Sequence, residues 1–248
     1  MNNVWLYSLL SVIIISLISF IGVVTLAIKA KFLQKILLLL VSFSAGALFG
    51  GAFLHLIPEA LENISSTRIV SLLILSGILF FLILEKFIHW RHCHIPTSKR
   101  HPHPFAIMNL IGDGLHNFID GLIIGASYLI SIPLGFTTTI AVILHEIPQE
   151  IGDFGVLLHG GFKKSKALLL NFLSALTSVF GVIVSLIIGY KAIEFSVILL
   201  PIAAGGFIYI AGSDLIPEMH KECSGSKSFA QLLSLVFGIL LMLVLLWF

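Results

Sequence analysis

Two polar stretches embedded in apolar sequence constrain this chain more than any other feature: His116-Asn117-Phe118-Ile119-Asp120 and, one hairpin later, His145-Glu146-Ile147-Pro148-Gln149-Glu150. Each lies near the middle of a run long enough to cross a bilayer, where an ionisable side chain is costly and marks a functional site with a partner nearby. The partner of each stretch is the other. Both begin with His, continue with an amide or a carboxylate, and place Asp or Gln at i+4, so two helices present nitrogen and oxygen donors at matching depth. The pattern predicts a metal site inside a membrane.

The rest of the chain supplies the spans. With 58% hydrophobic and 10% charged residues and a mean hydropathy of +1.11, it is far from a water-soluble globule, of which about a quarter is charged. A crossing needs roughly 20 apolar residues. Eight are predicted: Val4–Ile28, Ile36–Glu59, Ile69–Trp90, Phe105–Ile130, Leu134–Leu158, Ala167–Tyr190, Val197–Pro217 and Phe229–Phe248. Barrel strands would alternate apolar and polar residues instead. The predicted fold class is an all-α polytopic membrane protein of eight transmembrane helices in one domain, 1–248.

Lys and Arg set the orientation. Twelve of the fourteen basic residues follow spans one, three, five and seven, and the opposite connections hold only Arg68 and Lys191. The positive-inside rule then places both termini outside the cytoplasm of a cell membrane, plasma or inner. Nucleic acid is not needed to explain a pI near 8.6. The first apolar run exceeds a signal-peptide core and its charges follow rather than precede it, so it reads as a retained span. Cys93 and Cys223 fall on the cytoplasmic side, where thiols stay reduced, and no disulfide is expected.

The chain also repeats itself. Ala45-Gly46 is followed nine residues on by His55-Leu56-Ile57-Pro58-Glu59, and Ala204-Gly205 nine residues on by Asp214-Leu215-Ile216-Pro217-Glu218, a constant offset of 159. Spans two and seven run in opposite directions, so equivalent ends point at opposite faces. This predicts an inverted repeat in a 3+2+3 arrangement: helices 1–3 and 6–8 as repeats, helices 4–5 as a central metal-binding pair, the architecture many transporters use for alternating access.

On a helix His116 and Asp120 converge while Asn117 looks aside, and His145 pairs with Gln149 beside Glu146. Mixed imidazole and carboxylate donors suit zinc, iron, nickel, cobalt or manganese rather than calcium or magnesium. Pro148 is expected to kink helix five at the site and free the Leu144 carbonyl. The competing reading is polar glue between helices. His55 and Glu59 are candidates for an entrance; Asp214, Glu218 and His220 for an exit; and Asp113, Asp153 and His159 for its lining. The 91–104 connection with its flanks holds His89, His92, Cys93, His94, His101 and His103, a cytoplasmic His-rich loop and a candidate weak chelator.

HNFIDG followed by HEIPQE resembles the ZIP (Zrt/Irt-like) metal transporters, most closely their LIV-1-like branch. Further matches are HLIPE, Asn171 with Ser174, and DLIPEM. The resemblance covers nearly the whole chain. It implies uptake of a divalent metal, zinc first and in some members iron or manganese, into the cytoplasm through a binuclear centre. One ion would take His116, Asp120, His145 and Gln149; the other Asn117, Asp120, Glu146, Gln149 and Asn171. The branch usually has His where this chain has Gln149, a neutral oxygen donor that cannot bridge two metals as a carboxylate does. A mononuclear site or faster release follows, with Glu150 compensating in part.

Two other classes compete. An intramembrane zinc metalloprotease would use H-E-x-x-H, but needs a second His where Gln149 stands and an unbroken helix where Pro148 stands. A non-transporting metal-sensing protein would have no use for a repeat. The chain is not expected to be an enzyme or to hold a resident cofactor, its metal being cargo. The expected partners are divalent metal ions, the lipid bilayer and a second copy in a homodimer. Compact loops point to a bacterial membrane.

Overall fold

The computed structural model describes residues 2–22, 30–93, 103–189 and 191–247, and its regular elements are all helical. In lipid a helix satisfies its backbone internally, which is why long apolar runs take this form. Span one is α1 (Asn2–Ile18) and span two is α2 (Ala30–Gly50) running through a π-helical segment, Gly51–Leu56, into α3 (Ile57–Asn63). Spans three, four and five are α4 (Thr67–Cys93), α5 (Pro104–Ile130) and α6 (Ile132–His159). Span six divides into α7 (Lys164–Ala175) and α8 (Thr177–Ile188); span seven is α9 (Lys191–Tyr209), a second π-helical segment, Ile210–Leu215, and α10 (Ile216–Met219); span eight is α11 (Gly225–Leu245).

The sequence therefore placed the spans but not all of their edges. Span seven begins at Lys191 instead of Val197. Span six breaks at Leu176, beside Thr177, whose Oγ1 reaches back to Ser174 O at 2.7 Å. Such back-bonds compete with the helical ladder and bend it. α6 runs through Pro148 as one helical element. Residues 94–102 and the side chains of His89, His92 and Cys93 lie outside the described residues, and with them most of the His-rich connection.

The two π-helical segments start and end 159 residues apart, the offset of the sequence motif. In each, an N–H reaches back five residues, Ile57 to Ala52 O and Ile216 to Ala211 O. The cause lies one residue further on. Pro58 and Pro217 have no N–H to give, so the turn before them widens and the chain restarts as a helix with proline at its beginning.

Glycines let the spans approach backbone to backbone. A Cβ on Gly46 would lie 2.0 Å from Leu235 O, and one on Gly238 2.4 Å from Phe43 O, which locks α2 to α11. The same reciprocal contact joins α4 to α9, through Gly77 at 2.1 Å from Ile202 O and Gly205 at 2.2 Å from Ile74 O. α5 meets α8 likewise, Gly121 against Ser178 O at 2.0 Å and Gly181 against Phe118 O at 2.1 Å. Close approach through small residues is how helices associate where lipid removes the hydrophobic drive between them. The most apolar 18-residue stretches of α4 and α11 are only 17% buried in the chain, so their flanks face outward. α5 and α6 pack against each other in the interior, between α2 and α9.

Candidate metal centre

The polar stretches meet where α5 and α6 touch. His116 and Asp120 stand one turn apart on α5, and His145 and Glu146 are neighbours on the facing turn of α6. Their ligand atoms all lie within 4.8 Å of one another. His145 Nε2 is 3.1 Å from Asp120 Oδ2 and 4.0 Å from Glu146 Oε1. His116 Nε2 is 3.5 Å from Glu146 Oε1 and 3.7 Å from Asp120 Oδ2. Phe207 on α9 packs on the His116 ring at 5.0 Å between centroids. Two carboxylates and two imidazoles, nearly shut off from solvent, form a donor set whose charge offsets a dication when the imidazoles are neutral.

What these atoms leave undone is as informative. Both ring nitrogens of His116 and both carboxylate oxygens of Glu146 are buried without a hydrogen-bond partner. Polar glue would pair them, because an orphaned buried group costs about 1–3 kcal/mol. Gln149 is buried, lines the same cavity, and sits against Gly51 of the first π-helical segment, its Nε2 3.6 Å from where a Cβ would stand.

Asn117, Glu150 and Asn171 fall into a second, deeper network. Asn117 Nδ2 donates to Asp113 Oδ1 at 2.9 Å and to Asp113 O at 3.2 Å, and Ser174 Oγ donates to Asp113 Oδ2. Asn171 Nδ2 donates to Glu150 Oε2, and Asn109 Nδ2 to Asp153 Oδ1 at 2.9 Å. In every case the amide spends its N–H on a carboxylate. Asn109 Oδ1, Asn117 Oδ1, Asn171 Oδ1 and Glu150 Oε1 remain buried and unpartnered.

The two repeat-related ends differ. His55 and Glu59 line a cavity of about 460 Å³ whose floor is His116, Asp120, His145 and Gln149. His55 Nε2 lies 2.9 Å from Met242 O, and its ring is 6.4 Å from that of His145. Ser127, Thr137 and Thr138 also line this cavity; the sequence does not single them out, because hydroxyls in apolar helices are common. At the other end Glu218 is closed into a pair, accepting from His159 Nε2 at 3.0 Å on one oxygen and from Lys221 Nζ on the other. Asp214 is buried nearby with Oδ2 unpartnered, while His220 is exposed. Tyr209 donates to Glu85. Neither Glu85 nor Asn109 belongs to a motif; the signal that would have found Asn109 is its i+4 spacing to Asp113 and, one turn on, Asn117.

Known proteins resemble this chain along most of its length. The profile of the family described as ZIP zinc transporter matches residues 2–105 and 98–246. The chain is 30% identical to the zinc transporter zipt-7.1 of Caenorhabditis briggsae, over 98% of this chain and 79% of that protein. It is 34% identical to the zinc transporter ZIP13 of Pongo abelii, over 83% of this chain and 65% of the relative, and 29% identical to the zinc transporter SLC39A7 of Mus musculus, over 98% and 70%. These relatives are animal proteins and lend no support to a bacterial membrane. A profile running over almost the whole length, on a helical frame whose two central spans gather His116, Asp120, His145 and Glu146 into one buried cluster, shows that the chain belongs to the ZIP zinc transporter family.

Proposed function

We propose that this chain carries a divalent metal ion, zinc first, into the cytoplasm through the cluster between α5 and α6. The observation that carries the reading is the set of four ligand-bearing side chains within 4.8 Å of one another at the floor of a cavity reaching His55 and Glu59. The ion enters past these two residues and exchanges its hydration shell for His116, Asp120, His145 and Gln149. A second station, or a second ion, uses Asn117 Oδ1, Asn171 Oδ1, Glu150 Oε1 and the Glu146 carboxylate, buried oxygens that lack hydrogen-bond partners. Release runs past Asp214, Glu218 and His220.

Alternating access follows from pairing the two halves as inverted repeats about the central helices. It is supported by the matched π-helical segments and by the glycine contacts of α2 with α11 and α4 with α9, which exchange under that operation. In this state the Glu59 end opens on the cluster and the His159–Glu218 pair closes the other. By the distribution of Lys and Arg, the Glu59 end and both termini face outward from a plasma or inner membrane. Lipid, and a second copy in a homodimer, cover the apolar flanks of α4 and α11. Family membership removes the protease reading, which also lacks its second histidine at Gln149.

The test is zinc flux into proteoliposomes with iron and manganese as competitors. Wild-type protein should give saturable uptake and His116→Ala should lose it. Equal flux by both would remove the cluster from the pathway.

A further inference from the structure

We infer that Asp113, held by Ser174, is a positioning residue that decides which end of the Asn117 amide a metal ion meets. The inference deepens the reading above and rests on it, since it takes Asn117 as a ligand. An asparagine offers a donor and an acceptor of nearly the same shape, and only its surroundings fix which points where. A cation can use the oxygen alone. In this chain the choice is made by one carboxylate and one carbonyl on the preceding turn of α5. Asn117 Nδ2 gives its hydrogens to Asp113 Oδ1 at 2.9 Å and Asp113 O at 3.2 Å.

Turning the amide over would set Asn117 Oδ1 against both of these acceptors, one of them in a carboxyl group, with no hydrogen between. The unflipped amide satisfies its donors and leaves Oδ1 buried and unpartnered, in a residue with no solvent exposure. Asp113 is itself anchored, because its second oxygen takes the Ser174 hydroxyl from α7 and Asp153 of α6 lies beside its carboxyl group. Anchoring on a neighbouring helix fixes the carboxylate plane, and the carboxylate fixes the amide. This is the part that outer partners play for metal-binding histidines, carried out on an amide. Nothing in the motif HNFIDG calls for Asp113, which precedes it.

The experiment is a double-mutant cycle on the full-length protein, read by equilibrium zinc titration for the number and affinity of bound ions and by KM against maximal rate in proteoliposomes. Asp113→Asn can donate as well as accept, so it no longer selects the amide orientation. It should weaken zinc binding and raise KM by about tenfold to a hundredfold, the range for losing the partner that orients a ligand. Ser174→Ala, which loosens the anchor only, should do the same to a smaller degree. In an Asn117→Asp background the ligand is a carboxylate with no wrong end, so adding Asp113→Asn should cost little. A merely structural defect would persist in both backgrounds.

Equal losses in the two backgrounds, or unchanged binding in Asp113→Asn, would overturn the inference. So would a harmless Asn117→Ala. If Asp113→Asn does not fold, Ser174→Ala in the two backgrounds separates the same outcomes. His116→Ala tells this failure from that of the transport reading: harmless His116→Ala removes the pathway itself, whereas loss in His116→Ala with none in Asp113→Asn removes only the positioning role.

Discussion

The central cluster and the Glu218 end are made of the same residue types and treat them in opposite ways. Between α5 and α6, His116 and Glu146 are almost wholly buried and their polar atoms are left without hydrogen-bond partners. At the Glu218 end, His159 and Lys221 pair with the carboxylate and Tyr209 with Glu85. Glu218 and Glu85 are thereby satisfied, and of that end's named acids Asp214 alone keeps an unpartnered oxygen, on Oδ2. An unpaired buried set is unfavourable as it stands and is balanced only by something that brings positive charge with it.

That contrast can be broken most directly at its charged members. Asp120→Ala or Glu146→Ala should lower zinc affinity by roughly a hundredfold or more, the cost of removing one side of a buried charge pair, and should abolish saturable uptake. Removing the charge from Glu218, by contrast, should not. Uptake assays on protein with unchanged detergent elution check both statements, and full activity in Asp120→Ala would end the distinction between the two regions.

Acidity is the next lever. Imidazole binds metal only when neutral, and an unperturbed histidine titrates near pH 6.5. Protonation therefore opposes binding: affinity is full above the titration range and is lost as pH falls through it, by about tenfold per pH unit per histidine at the acid limit. Zinc titrations from pH 8 to pH 5, with proton release followed in weak buffer, test this. Constant affinity with no proton released on adding metal, over a range extended well below pH 5, would leave an all-oxygen site.

A smaller change is expected from Gln149→His, which adds an imidazole to the cavity floor and should tighten zinc several-fold at the expense of manganese. An unchanged order of competition among zinc, iron and manganese would take Gln149 out of the coordination shell. The smallest effect belongs to the closed end. Glu218→Gln breaks a partly exposed pair worth up to about 1 kcal/mol, so it should alter maximal rate by no more than about fivefold and leave zinc affinity untouched. A loss of affinity there would make the Glu218 end a binding site and dissolve the comparison.

The sequence by itself determined the helical membrane class and brought out the two polar stretches on α5 and α6, because apolar length and intramembrane charge are local properties. HNFIDG and HEIPQE bring out His116, Asp120, His145, Glu146 and Gln149 without any geometry, and spacing alone puts His116 beside Asp120; that Glu146 and not Gln149 completes the closest four is read from the structure. The offset of 159 also anticipates the two π-helical segments, since proline removes the same hydrogen bond wherever it stands in a helix.

Other features were decided by the tertiary structure. The division between the cluster and the deeper network depends on how α5, α6 and α7 are turned toward one another, which no single helix specifies. Hence Asn117 and Asn171, which the resemblance groups with Asp120, Glu146 and Gln149, have their amide N–H groups taken by Asp113 and Glu150, a pairing the motif does not show. His55 and Glu59 face a cavity while Asp214 and Glu218 face a closed end, although the two motifs share their register, Leu-Ile-Pro-Glu and preceding turn. That difference comes from what packs across from each end, Met242 on α11 for one and His159 on α6 for the other, and a contact between distant segments is set by the fold and not by the motif.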